Sequence, residues 1–258
     1  MKRIDSFKKD LAAKRAVKII AGIDNFDIDR VKSVVIAADR AKASAVDVSA
    51  NEEIIKMAKE NTTLPVFVSS IVPEDLAMAV KAGADAIEIG NFDALYKKGM
   101  RMSAMEILDI VKETLALIKK SNVFVCVTVP GHIAIADQIN LAKELEALNV
   151  DLIQTEGAAT VEAQSEGARG LLETAEVSIA NTIELARNVD IPVMTASGLT
   201  TTTVPMALAA GASAVGVGSC VNKLKSDIEM IAAATAIVES VESVRGSREA
   251  EKEAEVVA

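Results

Sequence analysis

The sequence predicts an α/β protein built as a closed, parallel (β/α)8 barrel. Eight short β-rich runs alternate with helical segments along a chain of 258 residues, which is the usual size of this fold. A repeat of half the chain supports closure, because LPV (64–66) and AVKAGADA (79–86) recur as IPV (191–193) and ALAAGASA (207–214). Two matching halves suit a closed barrel better than an open doubly wound sheet, the competing architecture. Half-barrel duplication is a hypothesis, since the first and fifth strands do not visibly repeat.

The predicted strands are bounded by turn residues and contain mostly Val, Ile and Ala. In chain order they are VKIIAGI (17–23), AVDVS (45–49), PVFVS (65–69), AIEIG (86–90), VFVCVTV (123–129), LIQT (152–155), PVMTA (192–196) and AVGVG (214–218). No linker separates them. We therefore expect one barrel domain over residues 17–244.

The helical segments have recognisable ends. Asp27 is expected to cap the helix that begins IDRVKSVV, and Pro73 occupies a first-turn position. Ser103 and Glu106 have the spacing of a capping box. Residues that enter the left-handed region cheaply follow three helical runs, at Gly83, Asn149 and Gly211.

The two termini differ in character from the barrel. In residues 1–16, Ile4, Phe7 and Leu11 share one helical face, which predicts a short helix packed on the barrel. Asp5, Asp10 and the lack of an apolar core argue against a signal or transit peptide. Residues 245–258 form a charged tail, expected to be a solvated helix end or disordered.

Composition excludes several classes of function. A formal net charge of −9 argues against partners that are nucleic acids or anionic membranes. Two cysteines and one histidine predict neither a disulfide framework nor a conventional zinc site, so no metal is expected. The apolar stretches are too short or too interrupted to span a bilayer.

A hydrophobic frame recurs on the even-numbered strands and carries one variable position. Aligned, this position is Asp47, Glu88, Gln154 and Gly216. Flanking Val and Ile residues occupy the outward face, so the variable position should point into the barrel. Two carboxyl groups and an amide there must bond to one another, to water or to a ligand. We expect Asp47 and Glu88 to be catalytic and Gln154 to bind substrate, the alternative being a mutually satisfied structural network.

The next inward position lies nearer the carboxyl ends of the same strands. It is occupied by Ser49, Gly90, Glu156 and Gly218, so Glu156 adds a third carboxylate. Clustered acids raise the pKa of one member, which provides a proton donor beside a base. Glu156 is accordingly a candidate catalytic residue.

Glycines dominate the loops after the seventh and eighth strands, where this fold commonly binds phosphate. The segments ASGLT (196–200) and GVGSCVN (216–222) supply Gly198, Gly216, Gly218 and Ser219 as candidates for holding a phosphate or a phosphate-bearing cofactor. Ser197 is a candidate substrate ligand. Neither a GxGxxG fingerprint nor a Walker motif is present.

Four further residues and one segment are weaker candidates. His132 follows the fifth strand and can serve as an acid–base group, the alternative being a solvated loop histidine. Asn25 and Asn91 each open an NFD tripeptide after a strand and are candidate substrate ligands. Lys18 is expected to serve the lower barrel rather than to form a Schiff base. The small-residue segment 156–170 is a candidate lid.

Six motifs together span about residues 17–240: GIDNFD, AVKAGADAIEIGNFD, VTVP, DLIQTEG, IPVMTASGL and AAGASAVGVGSCVNKL. These motifs resemble the hypothetical chloroplast reading frame twenty-three family of plastids and cyanobacteria. The resemblance implies a TIM-barrel fold and a location in the cytoplasm or the plastid stroma. It implies no reaction and no catalytic residues.

Three hypotheses follow. The leading one is an enzyme, a lyase, isomerase or synthase, that acts on a small phosphorylated metabolite by acid–base chemistry and needs no further cofactor. An FMN-dependent oxidoreductase is the second, although six aromatic residues offer little to stack an isoalloxazine ring. The third is a non-catalytic barrel that binds a metabolite and regulates a partner. A homo-oligomer is compatible with all three.

Overall fold

The computed structural model describes residues 2–90, 92–96, 98–119, 121–157 and 163–257. Its strands are parallel, follow one another in chain order, and close because the eighth pairs with the first. They are β1 (Ala16–Ile20), β2 (Ala45–Ser49), β3 (Val66–Ser70), β4 (Ala86–Ile89), β5 (Phe124–Thr128), β6 (Leu152–Thr155), β7 (Val193–Ala196) and β8 (Ala214–Val217). The predicted closed barrel is confirmed.

The helices precede, separate and follow the strands. They are α1 (Ile4–Ala12), α2 (Ile28–Arg40), α3 (Glu52–Asn61), α4 (Pro73–Lys81), α5 (Asp93–Tyr96), α6 (Ala104–Ile118), α7 (Ile135–Ala147), α8 (Gly167–Asn188), α9 (Val204–Ala209), α10 (Ser219–Asn222) and α11 (Asp227–Val257). The last of them packs on α2 and continues through most of the predicted tail.

The predicted helix ends are present. Asp27 accepts a hydrogen bond from the backbone N–H of Arg30 at 3.1 Å, and Ser103 with Glu106 forms the complete capping box. The positive φ angles expected after three helices occur at Gly83 (94°), Asn149 (58°) and Gly211 (108°). These local features agree with the sequence because each depends on contacts within a few residues.

The first strand is shorter than the sequence predicts. It ends at Ile20, whereas the apolar run continues to Ile23. Gly22 has a φ of 119°, which takes the backbone out of the extended region and turns the chain toward α2.

Two apolar clusters lie on opposite faces of the strands. The outer cluster packs the outward Val and Ile side chains, such as Val46, Ile87 and Val215, against the helices. The inner cluster fills the lower barrel and includes α1, whose Phe7 contacts Phe67 and Phe124 edge to face, with centroids 5.0 and 5.7 Å away. The amino-terminal helix therefore closes the end of the barrel at which the strands begin.

The half-chain repeat extends to the backbone hydrogen bonds. Val46 N–H donates to the Pro65 carbonyl at 3.1 Å, and Ile153 N–H donates to the Pro192 carbonyl at 3.0 Å. In the same way, Gly83 and Gly211 each donate from the end of a helix to the carbonyl three residues earlier. The two halves thus use equivalent turns before corresponding strands, which supports the duplication hypothesis.

Candidate functional site

The inner polar layer lies where the frame of the even strands predicts it. Asp47, Glu88 and Gln154 are buried within the barrel, each with at most 1% of its surface exposed. Glu88 Oε1 accepts hydrogen bonds from Gln154 Nε2 at 2.7 Å and from Thr128 Oγ1 at 3.1 Å. Ser69 Oγ donates to Asp47 Oδ1 at 2.5 Å. Glu88 thus bonds to Gln154 two strands away and to Thr128 on the next strand, while Asp47 bonds to a neighbouring strand through Ser69.

Lys18 supplies the counter-charge for this layer. Its side chain is completely buried, points inward from β1, and forms an ion pair with Glu88 Oε2. Burial acts to lower the pKa of Lys18, but the charges of Glu88 and Asp47 outweigh burial, and the net pKa is raised. The lysine is thus held as an ammonium ion, a form that is not nucleophilic, so Schiff-base chemistry is disfavoured.

The absence of a side chain at Gly216 makes room for neighbouring side chains. A Cβ at this position would lie 3.0 Å from Ala196 Cβ, 3.1 Å from Gln154 Oε1 and 3.2 Å from Ile20 Cδ1. The fourth member of the layer is therefore glycine because the Gln154 amide and two apolar side chains already occupy the room that a side chain would need.

The upper inward layer opens at the end of the barrel where the strands terminate. Gly90 is required there, because a Cβ would lie 2.3 Å from Thr128 Cβ and because its φ is 138°. Ser49 Oγ donates to the Asn25 carbonyl at 2.7 Å and holds the loop after β1. Glu156, 3% exposed, is the carboxylate of this layer.

Glu156 is linked to His132 through Tyr96. The Tyr96 hydroxyl donates to Glu156 Oε1, which also accepts the Gly131 backbone N–H at 3.1 Å. His132 Nδ1 lies 2.9 Å from the Tyr96 hydroxyl, and the two rings meet edge to face with centroids 5.2 Å apart. The loop after β6, helix α5 and the loop after β5 thus bring these side chains together at the barrel mouth.

The pKa of His132 is lowered. Burial is the main cause, and the positive charge of Arg101 acts in the same direction, whereas a hydrogen bond with the Met102 backbone acts to raise the pKa. Arg101 also lies over the Tyr96 ring, 5.3 Å from its centroid. At neutral pH the imidazole is therefore held neutral, as a general base requires.

The loop after β7 is packed tightly against α8. Ser197 and Gly198 have φ angles of 78° and 71°. A Cβ on Gly198 would lie 1.8 Å from the Thr174 carbonyl oxygen, so this glycine is required by packing as well as by conformation.

Gly218 differs from the other glycines at this end of the barrel. Its φ of −112° lies outside the left-handed region, and the nearest atoms to an added Cβ, on Asn222 and Ile20, are 3.6–3.8 Å away. Ser219, the first residue of α10, is exposed beside it. Neither packing nor a positive φ therefore requires a glycine at 218.

A polar stripe on α8 fixes the loops after β6 and β7. Asn181 Nδ2 donates to the Glu156 carbonyl at 3.2 Å, Ser178 Oγ to the Ser197 carbonyl at 2.9 Å, and Thr174 Oγ1 to the Gly198 carbonyl at 3.2 Å. One helix thus holds the backbone of both loops and sets the position of Glu156 relative to Gly198.

The remaining candidates lie around the mouth or outside the described residues. Asn25 is half-buried, and its Nδ2 donates to the Ala21 carbonyl at 3.2 Å, so it stabilises the turn after β1. Asn91 lies outside the described residues, as does the segment 158–162 of the predicted lid.

The mouth of the barrel carries many of the exposed apolar side chains. Among the described residues, Leu117 near the end of α6 is an exception, and the others lie in the loops that follow the strands or in the first two turns of the helices after them, at Phe26, Ile28, Val72, Met100, Met105, Ile135, Leu171, Leu172, Met206 and Ile228. A polar floor beneath an apolar entrance is the usual chemistry of a small-molecule site.

Sequence reasoning missed Tyr96, Asn222 and the stripe on α8, and it underrated Lys18. Tyr96 is the single tyrosine of the chain, and the stripe has polar residues at positions 174, 178 and 181, on one helical face, so both left a readable signal. Asn222, whose Nδ2 donates to the Ile20 carbonyl at 2.9 Å, left none. Among the described helices, none has the length and apolarity needed to cross a bilayer.

Solved structures share the fold at low sequence identity. GGGPS from Thermoplasma volcanium superposes with a TM-score of 0.64 at 14% identity, covering 92% of this chain and 97% of that one. The 3-hexulose-6-phosphate synthase from Salmonella typhimurium gives 0.64 at 13% identity, covering 89% and 99%. At these identities the likeness shows a TIM-barrel fold and nothing finer.

Similarity of sequence is much stronger to algal proteins. The uncharacterized protein ycf23 of Cyanophora paradoxa is 40% identical over 230 residues, which cover 89% of this chain and 92% of that protein. The ycf23 protein of Cyanidium caldarium is 35% identical over 236 residues, covering 92% and 94%. A family model described as "Protein of unknown function (DUF561)" matches residues 2–246. The resemblance predicted from the motifs is confirmed, and the chain belongs to the ycf23 family.

Proposed function

We propose that the protein is an enzyme that binds a small phosphorylated molecule at the carboxyl-terminal mouth of the barrel and acts on it by acid–base chemistry. The observation that carries the proposal is that neither packing nor conformation requires the glycine at 218, at the same end of the barrel as the His132–Tyr96–Glu156 chain. The site therefore combines a place for an anion with a group that can move a proton.

Gly218 supports the phosphate half of the proposal. A phosphate oxygen needs backbone N–H donors that no side chain shields, and the half-buried Gly218 has no side chain to shield its own N–H. The loop that contains Ser197 and Gly198 follows the neighbouring strand β7 and is rigidly held by α8, so it offers a preorganised second wall. Gly216, one layer lower, contributes by leaving space for Gln154.

The names of several structural neighbours agree with a phosphorylated ligand. They include 3-hexulose-6-phosphate synthase, thiamine phosphate pyrophosphorylase from Pyrococcus furiosus, and a geranylgeranylglyceryl phosphate synthase in complex with sn-glycerol-1-phosphate. Barrels of this fold commonly hold phosphate at the loops after strands seven and eight, where Gly198 and Gly218 lie.

His132 and Glu156 support the acid–base half. Both lie at the mouth, and the lowered pKa of His132 favours a neutral imidazole that can accept a proton. Asp47 and Glu88 are enclosed one layer lower and compensated by Lys18. We propose that these two carboxylates fix the polar floor, while proton transfer to and from the substrate takes place above them.

A ligand-binding experiment tests the phosphate site. Native mass spectrometry of the purified protein should show a bound phosphorylated molecule, and inorganic phosphate should raise the Tm of the stripped protein. Gly218→Ala should keep its unfolding transition, because the added Cβ has room, but should weaken phosphate binding about ten- to a hundredfold, because the methyl group would crowd a phosphate oxygen that accepts from the residue 218 N–H.

Ser6→Ala, on α1 at the opposite end of the barrel, is the matched control for Ser219→Ala. The control should bind phosphate like the wild type, whereas Ser219→Ala should bind it more weakly. Equal phosphate affinity of the wild type, Gly218→Ala and Ser219→Ala would refute the site.

Turnover tests the chemical half. The molecule identified by mass spectrometry, incubated with the protein, should give a product, and His132→Gln should slow its formation about a hundredfold or more. A bound molecule that returns unchanged would contradict catalysis and favour the regulatory barrel. An absorbance band of flavin in the purified protein would instead favour the FMN oxidoreductase.

The algal relatives support a location in the plastid stroma or the cytoplasm.

A further inference from the structure

The Tyr96 hydroxyl has one proton, and the geometry shows where that proton goes. Glu156 Oε1 receives it, and the same oxygen receives the Gly131 N–H, as expected of an ionised carboxylate. The Tyr96 oxygen can then only accept a hydrogen bond from the other side. The Nδ1–H tautomer of His132, whose Nδ1 lies 2.9 Å away, is the one that completes this hydrogen bond.

We infer that Tyr96 is a positioning residue that couples Glu156 to His132 and holds the imidazole as its Nδ1–H tautomer, which makes Nε2 the atom that exchanges a proton with the substrate. This inference deepens the proposed function and rests on it for the substrate alone. The coupling itself depends on hydrogen bonds between described residues that lie 60 and 36 positions apart in the chain.

Charged groups around the His132–Tyr96–Glu156 relay explain how it would assist proton transfer at Nε2. Glu156 lies at the far end of the relay and stabilises the imidazolium that forms when Nε2 accepts a proton. The Met102 backbone acts in the same direction, while burial and Arg101 oppose it. The proton stays on Nδ1 throughout, and neither Tyr96 nor Glu156 changes its protonation state.

The composition of the chain makes this inference directly measurable. His132 is the single histidine and Tyr96 the single tyrosine, so the NMR signals of both rings are unambiguous without assignment. Labelling with ¹⁵N-histidine distinguishes a protonated from an unprotonated ring nitrogen by chemical shift. The wild type near neutral pH should show a protonated Nδ1 and an unprotonated Nε2.

Two variants test the role of each partner. Tyr96→Phe removes the acceptor for Nδ1–H while preserving the ring, so the tautomer should change toward Nε2–H. Glu156→Gln removes the charge at the end of the relay, so the midpoint of the His132 titration should fall. Glu173→Gln, which changes a carboxylate bonded to Ser165, is the matched control and should leave both signals as in the wild type.

The outcomes separate this inference from the proposed function. An Nε2–H tautomer in the wild type, or an unchanged ¹⁵N spectrum in a folded Tyr96→Phe variant, would overturn the relay whatever the enzyme does. The predicted tautomer together with full turnover by His132→Gln would confirm the positioning by Tyr96 and refute Nε2 as the proton-exchanging atom. Loss of the tautomer and of turnover together in Tyr96→Phe is the expected result.

Discussion

Replacing Lys18 by methionine should destabilise the fold more than any single change to its acidic neighbours. The lysine and both carboxyl groups, Glu88 and Asp47, are 0% exposed, so none of the three charges is screened by solvent. Removing one partner of a buried ion pair leaves an uncompensated charge and costs about 3–5 kcal/mol. Lys18→Met leaves two acidic groups without a cation and should reach this range.

The variant Glu88→Gln should cost less, because Asp47 remains as a counter-charge for Lys18 and the amide oxygen still accepts hydrogen bonds from Thr128 and Gln154. The double variant Lys18→Met with Glu88→Gln should be more stable than Lys18→Met alone. Urea unfolding with linear extrapolation measures all three free energies. A Lys18→Met protein as stable as the wild type, or no more destabilised than Glu88→Gln, would refute the counter-charge argument.

The pH dependence of stability gives an independent check. The pKa of Lys18 is raised in the folded state, so its contribution is complete below the ordinary value of 10.5 and is lost as the pH rises through the higher folded pKa. The wild type should therefore lose stability above pH 10.5 through this group, and Lys18→Met should lack that component of the loss.

Three further changes test other parts of the structure by urea unfolding. Phe7→Ala should cost about 3–5 kcal/mol, because it empties the plug of the barrel beneath Phe67 and Phe124; a cost below about 1 kcal/mol would show that α1 is not part of the core. Ser103→Ala should cost about 1 kcal/mol through loss of the capping box, and unchanged stability would contradict that bond. Ser178→Ala should cost about 1–3 kcal/mol and also weaken phosphate binding, since it releases the Ser197 carbonyl. Unaltered phosphate affinity would show that α8 does not position the phosphate site.

Much of the fold follows from the sequence because barrel strands have a strict period of two. The alternation in AVDVS and AIEIG assigned Asp47 and Glu88 to the interior, since Val and Ile at the flanking positions must face the helices. The end of β1 was placed too late, because the apolar run to Ile23 has no signal for the turn other than Gly22. Periodicity reports which face a side chain takes and not where pairing stops.

The candidate site was predictable only as a set of inward and loop residues. Their partners were not, because contacts between them span long stretches of chain. Lys18 and Glu88 are 70 residues apart, and Tyr96 and Glu156 are 60 apart. Nothing in the frame of the even strands indicates that an odd strand supplies the cation for their acids.

The sequence by itself determined the eight alternating units, the inward direction of the polar positions, the helix caps and the family, because each depends on local periodicity or on a linear motif. The tertiary structure alone decided which inward groups touch. Closure of the barrel sets the register and layering of all eight strands, which brings Lys18 to Glu88, fills the space at Gly216 with Gln154 and leaves room for a Cβ at Gly218. The glycines at 216 and 218 look alike in the sequence, and only their three-dimensional neighbours show that packing requires the first and not the second.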